Sequence, residues 1–313
     1  MTLEQLRIFV EVAQRQHLTQ AAAALHLTPS AVSASIKALE DRYGTALFHR
    51  IGRRIETSEA GRIFLDEARR TLASARAAEA TLAELGELRR GALSIHASQT
   101  IASYWLPALL VRFRQAYPAI DLALEVGNTE HVAQAVMQGV ADLGFVEGAI
   151  DEAALAKEAV GDDRMVVVVA PGHPWARGQR LEAVDLLDAQ WILREAGSGT
   201  RSAFEAALDA IGIPPGALQV AIGLPSNEAV RSAVMAGPYA TAVSELVVAS
   251  HLQAGLLAQA GFELPARSFS MLRHRERHRS RAAAAFEALV RGRMTARAVQ
   301  IAPAPFPQHR PGE

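Results

Sequence analysis

HLTQAAAALHLTPSAVSASIKALEDRY, residues 17–43, sets the architecture of the N-terminal part. It reads as two short helices joined by a tight turn. Thr19 is placed to cap the first, in which Ala21, Ala22 and Leu25 share one face. His26 and Leu27 form the turn. Thr28 then caps the second helix and Pro29 takes its first position, where a missing N–H costs nothing. Val32, Ile36 and Leu39 recur at i, i+4 and i+7 and point inward. Ser30, Ser33, Ala34 and Lys37 share the opposite face, which is small, polar and basic. No large side chain holds that face away from a surface, so such a helix can enter a DNA major groove. A plain surface hairpin is the blander reading, and the flanking sequence decides between the two.

Upstream, residues 2–15 form an amphipathic helix with Leu6, Phe9, Val12 and Ala13 inward. Downstream, residues 47–57 (LFHRIGRRIET) place a Gly between branched and aromatic residues, with Arg50, Arg53 and Arg54 clustered at the tip. That pattern is a two-stranded wing around a Gly turn. Three helices and a basic wing make a winged helix-turn-helix. Residues 58–88 hold no Pro, one early Gly and Gly86 at the end, and Phe64, Ala68, Leu72, Ala75, Ala78, Leu82 and Leu85 recur every three or four positions. A long, narrow-striped helix of this kind pairs with a second copy, and two-fold pairing suits a palindromic DNA site.

The whole chain has 313 residues and a formal net charge of −1, so no global field draws it to nucleic acid and any DNA affinity is local. Residues 1–58 carry seven Lys and Arg against five acids, and four of the seven lie between Arg42 and Arg54. The absence of cysteine excludes disulfides, thiol catalysis and Cys-based zinc sites. No apolar run reaches the ~18 residues of a membrane span, and no secretory h-region opens the sequence, so the expected location is cytoplasmic.

From Gly91 the pattern changes to strands alternating with helices. Strands are expected over 93–97, 121–127, 141–146, 165–170, 191–193, 220–223, 240–243 and 269–274. Helices are expected over 101–116 (interrupted by Pro107), 129–138, 200–210, 226–236 and 280–293. Repeated βα units imply parallel-rich sheets with ligand sites at strand C-terminal ends, and this many strands implies two lobes. The expected boundaries are 1–58 for the DNA-binding domain, 59–89 for the linker helix and 90–301 for an effector domain. Within the last, lobe I covers about 90–162 and 268–301 and lobe II about 163–267. The Pro-rich tail, 302–313, is expected to be disordered.

Four helix starts follow strands directly and carry small polar residues. They are Ser98-Gln99-Thr100, Asn128-Thr129, Ser198-Gly199-Thr200-Arg201 and Ser226-Asn227. Open N–H groups and the helix dipole at such places favour anions. Each alone is also a routine N-cap; together they would build a polar pocket. The GSGTR stretch is the most specific, because Arg201 adds a charged fork. Arg201 and Glu205, four apart on one helix, could instead pair with each other. Glu147 and Ser244 stand where lobes would meet, and Glu147 could face a ligand ammonium group. An enzyme reading finds no GxSxG, P-loop or GxGxxG, and no acid–His pair at catalytic spacing. No cofactor or metal is expected.

With these residues in view the chain resembles the LysR-type transcriptional regulators over residues 1 to about 293. The motifs that carry the resemblance are LTQAAAALHLTPSAVSASIKALEDRYGTALFHR, the wing ending in TSEAG, and ASQTIASYWLP, GNTEHV, DLGFVEG and WILREAGSGTR. The last four resemble the branch associated with sulfur and cysteine metabolism. The resemblance implies a winged helix-turn-helix, a dimerising linker helix and a two-lobed effector domain like a periplasmic binding protein, assembled as a homodimer or homotetramer. It implies major-groove contacts at Thr28, Pro29, Ser30, Ser33 and Lys37, Gln20 near the DNA backbone, and Arg53 or Arg54 in the minor groove. The expected function is a double-stranded-DNA-binding regulator controlled by a small polar or anionic metabolite. The competing expectation, a two-lobed solute-binding protein without a DNA role, lacks an export signal and leaves the N-terminal pattern unexplained.

Overall fold

The computed structural model describes residues 1–51, 54–85 and 91–301. Three helices open the chain: α1 (Leu3–Arg15), α2 (Leu18–Ala24) and α3 (Pro29–Tyr43). Their core is Leu6, Phe9, Val12, Ala21, Ala22, Val32, Ile36 and Leu39, the inward set that the helical spacing dictates. The cap of α2 differs from the expectation. The helix starts at Leu18, so the extended residue before it is His17, whose Nδ1 accepts from the Gln20 amide at 3.4 Å. Thr19 therefore lies inside the first turn. Thr28 does cap α3, accepting from the Ala31 amide at 3.2 Å, with Pro29 at N1.

The wing follows as β1 (Phe48–Ile51) and β2 (Arg54–Thr57), antiparallel with Arg50 opposite Ile55. Glu40 on α3 fixes its base, since Oε1 accepts from the amides of Leu47 (2.7 Å) and Phe48 (3.1 Å). Then α4 (Glu59–Leu85) runs 27 residues, ~40 Å at 1.5 Å per residue. Its Ala68 is buried in the winged-helix core, and Phe64, Leu65 and Leu72 pack against that core. Phe64 meets Phe9 with ring centroids 4.9 Å apart. The first half of the predicted stripe is thus covered by α1 of the same chain.

The rest folds around two five-stranded sheets. The first, lobe I, has the order β4 (Ile120–Gly127), β3 (Gly91–Ser98), β5 (Leu143–Glu147), β12 (Arg267–His274), β6 (Leu155–Asp163). The second, lobe II, has the order β11 (Ala258–Glu263), β7 (Met165–Val169), β10 (Tyr239–Ser244), β8 (Gln190–Arg194), β9 (Gln219–Leu224). Each sheet is half parallel rather than parallel-rich. β3 pairs parallel with β4 and β5, and β8 with β9 and β10, whereas β12 and β7 pair antiparallel with both neighbours. Helices α5 (Pro107–Ala116), α6 (Thr129–Gln138) and α10 (Arg281–Ile301) cover lobe I. Helices α7 (Gly199–Asp209), α8 (Asn227–Met235) and α9 (Glu245–Gln253) cover lobe II. One π-helical turn, Ile101–Trp105, precedes Pro107. β6, β11 and α9 were not expected from the sequence.

The chain crosses between lobes twice, from β6 to β7 and from β11 to β12. Arg267 opens β12 directly opposite Asp163, which ends β6. Both crossings are therefore tied at one place. No helix among the described residues is long and apolar enough to cross a membrane. Residues 302–313, expected to be a disordered tail, lie outside the described residues.

Candidate functional site

Two surfaces carry candidate residues. The first is the outward face of α3. Thr28, Pro29, Ser30, Ala34 and Lys37 are exposed on it, Ser33 is half-exposed, and Gln20 is exposed on α2. Thr28 Oγ1 and Ser30 Oγ lie 3.0 Å apart, so the helix start presents a paired hydroxyl edge. The wing strands stand beside α3, held by Glu40. Arg53, and the side chains of Arg50 and Arg54, lie outside the described residues.

The second surface is the seam between the lobes. Six strand ends deliver it: β3 at Ser98, β4 before α6, β5 at Glu147, β8 before the α7 turn, β9 before α8 and β10 at Ser244. Ser98, Thr100, Thr129, Glu147, Ser198, Thr200, Asn227 and Ser244 are all buried, each below 5% exposure. Polar groups at such depth cost ~1–3 kcal/mol each unless paired, and the seam pairs them across lobes. Gln99 of lobe I accepts from the Asn227 amide at 2.7 Å and donates to Glu228 at 2.8 Å. Asn227 Nδ2 donates to Thr100 Oγ1 at 3.1 Å. Ser98 donates to Glu147 Oε2, and Thr200 donates to Glu147 Oε1 at 3.4 Å. On the opposite rim the Glu130 amide donates to the Gly197 carbonyl at 3.3 Å, and Asn128 Nδ2 to the Ala196 carbonyl at 3.5 Å. Asn128 also caps α6, accepting from the His131 amide at 2.9 Å. The lobes are closed on each other.

Gly199 makes that closure possible. A Cβ there would stand 1.9 Å from the Glu147 carbonyl oxygen and 2.4 Å from Thr129 Oγ1. Only hydrogen lets the α7 start approach β5 so closely. Thr129 in turn donates to that same carbonyl at 2.8 Å.

Three predicted residues have structural partners of their own at the margins of the seam. Ser226 is the α8 cap, accepting from the Ala229 amide at 3.0 Å. Ser244 donates to Asp163 at 2.6 Å, at the crossing. Arg201 is turned aside: Nε donates to Glu205 at 2.7 Å and Nη1 to the Arg194 carbonyl at 3.3 Å. The pairing with Glu205, left open by the i, i+4 spacing, is the one formed.

Sequence reasoning missed Asp163, Arg194 and Arg267. Arg194 is 5% exposed and donates to both Glu195 carboxylate oxygens and to Asn227 Oδ1. Arg267 donates through Nε to Asp163 Oδ2 at 2.7 Å and through Nη1 to Thr200 Oγ1 at 3.2 Å. Its Nη2 lies 2.7 Å from the same Asp163 oxygen, but no acceptor is aligned with its hydrogens. Burial pushes the Asp163 pKa up; Arg267 and the Ser244 hydroxyl pull it back down, and the Glu147 charge adds to the rise. Partners more than a hundred residues apart, such as Arg267 and Asp163, leave no local spacing signal.

Comparison with known proteins agrees with both halves. The family profile described as "Bacterial regulatory helix-turn-helix protein, lysR family" matches residues 3–62, and that described as "LysR substrate binding domain" matches residues 86–295. The HTH-type transcriptional regulator YeiE of Escherichia coli K12 is 38% identical over 284 residues, covering 90% of this chain and 94% of that protein. CysL of Bacillus subtilis is 32% identical over 252 residues, covering 80% and 83%. Among solved structures, full-length CbnR complexed with its target DNA superposes with a TM-score of 0.67 at 22% identity, over 93% of this chain and 99% of CbnR. The CcmR regulatory domain of Synechocystis in complex with 2-PG superposes with a TM-score of 0.60 at 25% identity, over 69% of this chain and all of that domain. With its winged helix, its two-lobed domain and relatives of this identity and coverage, the chain belongs to the LysR family of DNA-binding transcriptional regulators with an effector-binding domain.

Proposed function

We propose that the outward face of α3 reads operator bases through Thr28, Pro29, Ser30, Ser33 and Lys37. Gln20 approaches the DNA backbone, and the wing arginines Arg50, Arg53 and Arg54 enter or flank the minor groove. The effector binds in the seam between the lobes, among Ser98, Gln99, Thr100, Asn128, Thr129, Glu147, Ser198, Gly199, Thr200, Asn227 and Ser244. The single observation that carries this reading is that residues from six strand ends, β3, β4, β5, β8, β9 and β10, converge on one buried polar network across two lobes. Such a network is closed by weak bonds, so a ligand with different affinity for the open and closed states shifts the balance between them. The CcmR regulatory domain solved with 2-PG supports a small-molecule role for this fold. Ser226 and Arg201 contribute indirectly, by capping α8 and bracing α7. The protein acts in the cytoplasm, without catalysis, as a homodimer or homotetramer. Residues 1–58 bind DNA, 59–89 join the copies and 90–301 sense the effector.

The test has two arms. A gel shift with DNA upstream of the protein's own gene should show specific retardation, and Lys37→Ala with Arg54→Ala should weaken it and flatten its salt dependence. Thr100→Val removes the acceptor of Asn227 Nδ2 within the seam. It should bind the operator as wild type does while losing response to the effector. A variant that still responds normally places the effector elsewhere.

A further inference from the structure

The charges in the seam do not balance, and the imbalance has a chemical direction. Arg194 is matched by Glu195 and Arg201 by Glu205, each at 2.7 Å. Among the described residues, that leaves Glu147, Asp163 and Glu228 against Arg267 inside the seam. Among the described residues Glu228 accepts from the neutral Gln99 amide. Lys157 stands exposed on the rim and donates to the Gly148 carbonyl at 3.3 Å. Glu147, 2% exposed, has Ser98 and Thr200 hydroxyls as its donors and no cation in direct contact among the described residues. A buried carboxylate without a cation is costly, and a further anion placed beside it raises the cost. A purely anionic ligand, the simplest expectation from open helix starts, therefore fits this seam poorly.

The same place also holds a donor in want of an acceptor. Arg267 is 9% exposed and its Nη2 has no aligned acceptor. Thr200 Oγ1 joins the two groups, lying 3.2 Å from Arg267 Nη1 and 3.4 Å from Glu147 Oε1. A carboxylate with no cation in contact among the described residues and a guanidinium whose Nη2 lacks an aligned acceptor thus flank one hydroxyl.

We infer that the effector is a zwitterion of the α-amino acid type, its ammonium group held by Glu147 and its carboxylate by Arg267 Nη2 and Thr200. Both ligand charges sit on neighbouring carbons of such a molecule, matching two protein charges that share one hydroxyl. The ammonium takes the place of the Ser98 and Thr200 donors on Glu147. The carboxylate completes the Arg267 fork without adding net charge to the seam. This inference rests on the seam being the effector site.

The experiment uses the full-length protein. The twenty standard amino acids, sulfate and phosphate are screened by thermal shift. Calorimetry follows for each hit, for its 2-hydroxy acid (no ammonium) and for its amino alcohol (no carboxylate). At least one amino acid should raise Tm, and both of its analogues should bind at least tenfold more weakly. Glu147→Gln should weaken the amino acid at least tenfold while leaving the 2-hydroxy acid unchanged. Arg267→Lys, which keeps the charge beside Asp163 but loses the fork, should weaken the amino acid and spare the amino alcohol. Operator binding without ligand checks that each variant is folded; if one is not, the analogue series on wild type decides. The inference is overturned if no amino acid binds, or if sulfate, phosphate or the 2-hydroxy acid binds as tightly as the amino acid. An anion whose binding is lost in Thr100→Val would leave the seam as the site and remove only the zwitterion. An amino acid that binds Thr100→Val like wild type would remove the seam itself.

Discussion

At Gly199 a single hydrogen atom decides whether the lobes close. The α7 start rests on the Glu147 carbonyl, a backbone atom held in β5 that cannot swing aside as a long side chain would. Gly199→Ala should therefore push α7 off β5 and cost ~1–3 kcal/mol of stability, as overpacking does. Chemical denaturation measures it, and an unchanged midpoint would mean the seam opens at no cost. Asp142 allows a pH prediction. Its Oδ2 accepts from the Ser94 amide at 2.8 Å, and burial pushes its pKa up against the opposing pull of that bond and of Arg76. The folded state then holds a proton that the unfolded state has released between the ordinary Asp pKa, about 3.9, and the raised one. Stability must fall as pH rises through that window. Asp142→Asn keeps an acceptor for Ser94 and should flatten the fall, read as Tm against pH. The residues legible in the sequence were those set by local rules: Ser98, Asn128, Ser198 and Ser226 stand at helix starts, and any strand-to-helix junction displays them. Asp163 and Arg267 were illegible because each looks like an ordinary surface charge until the two crossings bring them together.

The elements follow the same division. The helices of the N-terminal domain and the wing were readable because their spacing and caps are local. β6 was not, since its sequence LAKEAVGDD mixes charge with small residues and gains strand structure only from pairing with β12. β11 likewise depends on β7. The long helix α4 shows what periodicity alone leaves undetermined: a stripe predicts burial but not the partner. Phe64, Ala68 and Leu72 are spent on the chain's own α1, so Leu72→Asp would damage the winged helix as well as any dimer. Ile63 is different. It is 69% exposed on the same helix, an apolar side chain with no intramolecular cover. If copies pair along α4, Ile63→Asp should weaken the dimer and leave the unfolding midpoint of the monomer nearly unchanged. Sedimentation across a concentration series reads the first, and denaturation at low concentration the second. An unaltered association constant would place the pairing face elsewhere on the helix.

At the scale of the whole molecule, the two domains that carry the functional surfaces are joined by α4, which packs on both. Its start packs on α1 and the wing, and its middle is docked on lobe I. Gln138, the last residue of α6, donates to Asp66 at 2.9 Å. Arg277 donates to the Met137 carbonyl at 2.8 Å, and its guanidinium lies against Gly139, which has φ +74°, next to Ala73 of α4. Lobe I is also the lobe that carries Ser98, Thr100 and Glu147. A change in lobe closure therefore has a direct mechanical path to the helix on which the DNA-reading domain sits. Coupling between two such sites is a free energy, ~1–3 kcal/mol in ordinary cases, and it is reciprocal. Asp66→Ala with Gln138→Ala removes one of the contacts that fix α6 to α4, without touching the seam or α3. The double variant should bind effector and operator separately with wild-type affinity. The ratio of operator affinities with and without effector should move toward one. Calorimetry for the ligand and a gel-shift titration for the DNA, each performed with and without the other partner, give that ratio from both sides. Equal ratios in wild type and variant would show that this contact carries none of the signal.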